Sequence, residues 1–200
     1  MDTFEAIKKR RSVKSFDINH KMTRDEITKI LESAILSPTS YNIQNWRFVI
    51  VTSQEIKDKI SELSHGQKQV SEASLVIVLC GDLNSWDKNP ERYWKNIPEE
   101  PRSMLVDSLR NSYRDKPQMQ RDEAMRSCGM AAQTIMLAAK SMGYDTCPMK
   151  GFDYDKVGKL INLPDDHIIV MMVVVGKASK QAPPRGGQLP LSEISFKNHF

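Results

Sequence analysis

The sequence predicts an α+β protein in which a sheet of about four strands is covered by helical layers. Two stretches, 75–80 and 168–175, are apolar on successive residues, as strands buried on both faces are. Five or more other stretches carry apolar residues at helical spacing. Strands and helices are interspersed, without an internal repeat or a low-complexity segment, which argues for one sheet with helices packed on it.

Asp2, with Glu5 three residues later, has the pattern of a capping box, and Phe4 and Ile7 share a face of the helix that follows. Thr23 and Glu26 repeat the pattern ahead of a second helix, where Ile27, Ile30, Leu31, Ala34 and Ile35 form a core-facing stripe. Pro38 ends it and holds residues 37–45 as an ordered loop, after which 46–52 reads as a strand rich in aromatic and β-branched residues. Ser53 is placed to cap a helix striped by Ile56, Ile60 and Leu63. The run at 75–80 is expected to be central in the sheet. From 84 to about 121 proline, charge and exposed-looking aromatics (Trp86, Tyr93, Trp94, Tyr113) replace core periodicity, the mark of an insertion of short helices on the surface, or a lid. Residues 122–142 are expected to form the longest helix, apolar over most of its circumference from Met125 to Met142, with Gly143 as its C′ residue. A short strand and tight turn at 145–153 lead into a helix capped by Asp153, and 168–175 supplies the last strand. The tail from about 178 is too irregular for a helix and too apolar between Leu189 and Ile194 to be free in solvent, so it is expected to pack along something.

Two hundred residues fit a single domain, 1–200, with 40% hydrophobic and 27% charged residues, as in a soluble globular chain. No apolar run approaches the roughly 20 residues that span a bilayer, and the amino terminus lacks a signal-peptide core; no membrane association and a cytoplasmic location are expected. The net charge of +4 is spread along the chain, so nucleic acid is not expected as a partner, while a phosphorylated small molecule suits it. Cys80, Cys128 and Cys147 form no CxxC pair, and no metal site is expected.

Two stretches carry the chemistry. Residues 8–16 are a basic run, which reads as a solvated face or as something more specific. In an extended segment Arg10, Ser12 and Lys14 would point to one side, placing a fork, a hydroxyl and an ammonium on one spot, a trio suited to a phosphate. Residues 37–48 gather Thr39, Ser40, Asn42 and Gln44 within six positions. That is either an ordinary helix-to-strand connection or a polar wall for a ligand.

Together these pieces resemble the FMN-dependent nitroreductase family over nearly the whole chain. The resemblance is carried by F-E-A-I-K-K-R-R-S-V-K at 4–14, S-P-T-S-Y-N-I-Q-N-W at 37–46, G-Q-K-Q-V at 66–70, P-M-K-G-F-D at 148–153, and a tail with P-P-R-G-G and L-P-L-S-E-I. It implies a central, mainly antiparallel sheet flanked by helices, in an intertwined homodimer with shared FMN sites. By the same resemblance, Arg10, Arg11, Ser12 and Lys14 hold the flavin phosphate and pyrimidine edge. Pro38, Thr39, Ser40 and Asn42 come from the other subunit. Gln67 and Gln69 lie near the ribityl chain or ring, and Pro148, Met149, Lys150 and Gly151 lie against the isoalloxazine. Where many relatives have Glu or Gly this chain has Lys150. Their tail arginine is replaced by Leu189, for which Arg185 is the candidate substitute.

The implied activity takes hydride from NAD(P)H and reduces a nitroaromatic, quinone or similar small-molecule acceptor by a ping-pong mechanism. The alternative is a flavin-binding carrier, sensor or modification protein without NAD(P)H turnover. No catalytic side chain is expected, since the chemistry belongs to FMN. That agrees with the scattered placement of His20, His65, His167 and His199 and with the lack of a Ser/His/Asp or Cys/His constellation.

Overall fold

A computed structural model describes residues 1–200. Its centre is a four-stranded antiparallel sheet, β1 (Trp46–Val51), β2 (Leu75–Asp82), β3 (Asp145–Met149) and β4 (His167–Gly176), in the order β1-β2-β4-β3. All eight residues of β2 are buried, as its unbroken apolar run demands. The helices are α1 (Thr3–Lys9), α2 (Arg24–Ala34), α3 (Gln54–Glu62), α4 (Lys68–Glu72), α5 (Glu99–Tyr113), α6 (Pro117–Ser141), α7 (Tyr154–Leu160) and α8 (Leu191–Ile194).

Alternation along the strands divides the core between the sheet's two faces. Val76, Val78, Cys80, Met172 and Val174 point to the side of α3 and α7, with Ile60 and Val157. Leu75, Ile77, Leu79, Val173 and Val175 point to α2 and α6, where Ile30, Cys128, Ala132 and Ile135 meet them. Alanines along α6 let it approach closely. At Gly81 the fit is so tight that an added methyl carbon would stand 2.6 Å from the Cβ of Ala124. Cys80 and Cys128 lie in this interior, the Cys128 thiol donating to the Cys80 carbonyl at 3.5 Å, and burial pushes both thiols up to about 12.

The second capping box is complete: Thr23 accepts from the Glu26 N–H, and the Glu26 carboxylate accepts from the Thr23 N–H at 2.8 Å. Glu26 also accepts from the buried Tyr144 hydroxyl at 2.6 Å, tying α2 to the entry of β3. This bond and those from Thr23 hold the Glu26 carboxyl down at about 2. The first box is half formed, because Asp2 accepts from the Glu5 N–H but Glu5 turns to Lys9 instead.

Several expectations are corrected. Helix α6 begins at Pro117 rather than Asp122, because proline suits the first helical position and Gln118 and Asp122 pair one turn apart. Met125 on α6 is exposed, as are Phe4 and Ile7 on α1. Ser53 occupies the N-cap of α3 without a side-chain bond. The aromatics at 84–121 are not surface groups: Tyr93, Trp94 and Tyr113 are buried with Val106 and Leu109 of α5 and with Ile43, a satellite core of their own. α5 runs for 15 residues, so the segment is not confined to short helices. The tail touches its own chain through Ala182, which packs on the core, and through polar contacts of Pro183 and Arg185 with the 7–11 segment, whereas Leu189, Leu191, Ile194, Phe196 and Phe200 stand exposed.

Candidate functional site

α1 ends at Lys9 because Arg10 takes an extended conformation (φ −60°, ψ 129°). The chain then runs beside β3, with Ser12 bridging Thr146 in parallel and the Val13 N–H donating to the Thr146 carbonyl at 3.0 Å. Lys14 reaches back to donate to the Cys147 sulfur at 3.3 Å. The tail crosses the same place. Arg185 donates to the Arg10 carbonyl at 2.9 Å and reaches the Ile7 and Lys8 carbonyls at 3.4 Å, satisfying the C-terminal end of α1. Arg11 donates to the Pro183 carbonyl.

Three guanidinium groups therefore converge with no carboxylate among them, since none of the chain's ion pairs involves Arg10, Arg11 or Arg185. Burial, and after it the charges of Arg185 and Arg11, hold the Arg10 pKa below its ordinary value. Arg10 Nη1 and Thr146 Oγ1 are both buried without a hydrogen-bond partner. Buried donors are normally satisfied, so a half-buried cation whose N–H has no protein partner, in a field of like charge, has the character of an anion cradle.

Beyond β3 the chain turns at 148–151, anchored where the Asp153 N–H donates to the Leu63 carbonyl at 2.9 Å. Asp153 then caps α7 through the Lys156 N–H at 3.0 Å. Gln69 donates to the Gln67 side chain at 2.7 Å, and Gln67 donates to the Gly151 carbonyl at 3.0 Å. This amide relay draws α4 and the turn together. Met149 is buried, whereas Lys150 and Gly151 face outward. Arg10, Arg11, Ser12, Lys14, Gln67, Gln69, Pro148, Met149, Lys150, Gly151 and Arg185 thus belong to one connected region along β3, in which Gln69 and Met149 are buried.

Pro38, Thr39, Ser40 and Asn42 do not join it. Tyr41, Asn42 and Gln44 all have positive φ (51°, 52° and 43°), a conformation costly for residues with a Cβ. Side-chain and backbone bonds impose it: the Ser40 N–H donates to the buried Glu123 at 3.0 Å, Asn42 to the Tyr93 carbonyl at 2.8 Å, and the Gln44 N–H to Thr39 at 3.1 Å. The sheet separates the two groups. The loop enters β1, and the basic cluster lies along β3 at the opposite edge, three strand steps or roughly 14 Å away. The pairing registers set Trp46 level with Gly81 and Thr146 level with Leu75, adding roughly 20 Å along the strands. The two polar groups occupy diagonal corners.

One cluster escaped sequence reasoning. Asp82, Asp166 and His167 bring ligand atoms within 4.8 Å of one another. Arg47 and Lys88 each meet Asp82 at 2.9 Å and Lys88 meets Asp166 at 2.5 Å, so the acids are neutralised by protein cations. Lys88 and then His167 hold the Asp166 carboxyl at about 2. The network ties the start of the 84–121 segment to the start of β4. Asp82 and Lys88 lie more than 75 residues from the adjacent Asp166 and His167, a separation that spacing does not bridge.

A family model described as the Nitroreductase family matches residues 7–177. The chain is 49% identical over 199 residues to Protein DrgA of Synechocystis, covering 97% of this chain and 95% of that one. It is 32% identical over 185 residues to the oxygen-insensitive NADPH nitroreductase of Helicobacter acinonychis, covering 89% and 88%. Its backbone matches a protein of Exiguobacterium sibiricum crystallised in complex with FMN at a TM-score of 0.92, with 31% identity over 99% of this chain and 98% of that one.

Proposed function

The chain belongs to the nitroreductase family, and from that premise we propose that it is an FMN-dependent oxidoreductase. It takes hydride from NAD(P)H and passes reducing equivalents to a nitroaromatic, quinone or similar acceptor in ping-pong order. The observation that carries this reading is the uncompensated cluster of Arg10, Arg11 and Arg185, with Arg10 Nη1 buried and idle. It fits a phosphate monoester, a dianion with three acceptor oxygens.

Each residue then has a task. Arg10 and Arg185 hold the phosphate, Arg185 also fixing the end of α1 from which Arg10 departs. Ser12 offers a hydroxyl from a backbone pinned to β3. Lys14, at present on the Cys147 sulfur, supplies positive charge beside the turn at 148–151. Gln67 and Gln69 present amides next to Gly151, where the absence of a side chain permits close approach of a ring to the backbone. When bound, FMN supplies the electron-transfer chemistry, and the protein supplies binding, orientation and electrostatics.

Ser40 and Asn42, at the diagonal corner, serve the site of a second copy in a homodimer. A C2 axis makes two equivalent sites, each combining the basic corner of one chain with the loop corner of the other.

The purified protein is expected to be yellow, with flavin absorbance bands, and to oxidise NADH or NADPH faster when menadione or nitrofurazone is added. A colourless protein that stayed inactive after incubation with FMN would overturn the reading. A yellow one that left both nicotinamides untouched would leave only a carrier or sensor.

A further inference from the structure

A cleft of about 790 Å³ lies between the start of β1 and the segment that follows Pro90, away from the basic corner. Trp46, Tyr93, Trp94 and Ile97 give it an apolar lining, and Arg92 and Lys95 stand exposed at it. Its volume is that of a small-molecule site, and it joins one apolar wall to a set of convergent polar and cationic groups. No acidic residue lines it. The third cation, Arg47, is engaged by Asp82 at 2.9 Å. Arg92 is held over the Tyr93 ring at 5.0 Å and donates to the Tyr93 hydroxyl at 3.1 Å, which fixes its position without neutralising it. Neither Arg92 nor Lys95 has a carboxylate within ion-pair distance, while nearby Glu91 faces Arg110. Trp46, only 7% exposed, keeps an indole N–H with no partner. The wall carrying Asn42 and Gln44 is the segment held at positive φ, a strain that the bonds to Glu123, Tyr93 and Thr39 maintain.

We infer that this cleft binds a small aromatic acid, its ring against the Trp46–Trp94 wall and its carboxylate between Arg92 and Lys95. The carboxylate suits the guanidinium fork of Arg92, with Lys95 as a second point charge. The ring replaces water along the tryptophan wall. Of the residues lining the cleft only Asn42 is also assigned to the second copy's flavin site, and the inference rests on Arg92, Lys95, Trp46 and Trp94, which are not.

Two of the chain's three tryptophans line the cleft, so binding has an intrinsic optical signal. The experiment titrates the purified protein, without reductant, with p-nitrobenzoate and with its neutral counterpart p-nitrobenzamide, following tryptophan quenching and heat of binding. The acid is expected to bind about tenfold or more tightly than the amide, as two charge-assisted contacts allow. Arg92→Ala/Lys95→Ala, at exposed positions that do not threaten folding, should erase that preference while FMN content and NAD(P)H oxidation with menadione stay unchanged. Equal affinity for acid and amide, or a preference that survives the double substitution, would overturn the inference. Displacement of the acid by inorganic phosphate at constant ionic strength would reduce the cleft to a general anion patch and also overturn it. Retained flavin chemistry with no cleft binding would defeat this inference alone.

Discussion

At the scale of single residues, the decisive contrast is between a charge that has found its partner and one that has not. Arg10 has not, and a phosphate is what would satisfy it. Arginine grips an oxyanion through two donors at once, whereas Lys14 acts as a point charge and already has the Cys147 sulfur to rest on. Arg10→Ala is therefore expected to weaken FMN binding by about ten- to a hundredfold, as loss of a charge-assisted bond implies. Lys14→Ala should cost only severalfold, and flavin content after gel filtration distinguishes the two. Equal retention would count against the phosphate assignment. Glu26 is the opposite case, held at about 2 by Tyr144 and Thr23. A depressed carboxylate stabilises the fold above its unfolded value near 4.5, and the contribution fades as pH falls toward about 2. Tyr144→Phe should thus cost about 1 kcal/mol at pH 7. The gap from wild type should close as denaturation curves are repeated at successively lower pH below 4.5. The tyrosine itself, pushed up to about 12 by burial and then by Glu26, stays neutral throughout.

At the scale of elements, what the sequence disclosed depended on length and on who the neighbours were. β2 and β4 were legible as apolar runs, β1 by its aromatic and β-branched residues and β3 only as a short piece before a turn, and α2 because Thr23, Glu26 and a clean stripe mark it. α4 was missed, since five residues are too few to display a period. The aromatics near residue 90 were misread because their partners, Ile43 and the buried face of α5, form a small separate core that local periodicity does not announce. In the candidate site, residue types suited to phosphate and amide contacts were visible as motifs. The Gln67–Gly151 and Arg185–Arg10 contacts were not, because they join segments more than 80 residues apart. Packing between β2 and α6 offers a two-sided test. Gly81→Ala forces a methyl group against Ala124 and should destabilise by about 1–3 kcal/mol. Gly129→Ala lies on the open side of α6 with nothing within 4 Å and should stabilise by about 0.5–1 kcal/mol. Midpoints shifting in opposite directions in urea would confirm the close approach, and a neutral Gly81→Ala would refute it.

At the scale of the whole molecule, the diagonal separation of the basic corner from the 38–42 loop makes complementation the natural test. Arg10→Glu ruins one corner, and Ser40→Ala with Asn42→Ala strips the other, so each altered homodimer is expected to hold little FMN. A co-expressed heterodimer carries both lesions in one site and neither in the other, and should recover about one FMN per dimer. Recovery no better than the parents would place both motifs in one chain's site, or in none. A different consequence follows from two cysteines sealed on the two faces of the sheet, Cys128 of α6 against one and Cys80 of β2 toward α3 and α7 on the other. An alkylating reagent needs a thiolate it can reach, and Cys80 and Cys128 offer neither exposure nor ionisation while the chain is folded. Their rates of modification are therefore two clocks, Cys128 reporting excursions in which α6 lifts from the sheet and Cys80 those in which the opposite face opens, and they time the opening of the interior without any label having been introduced.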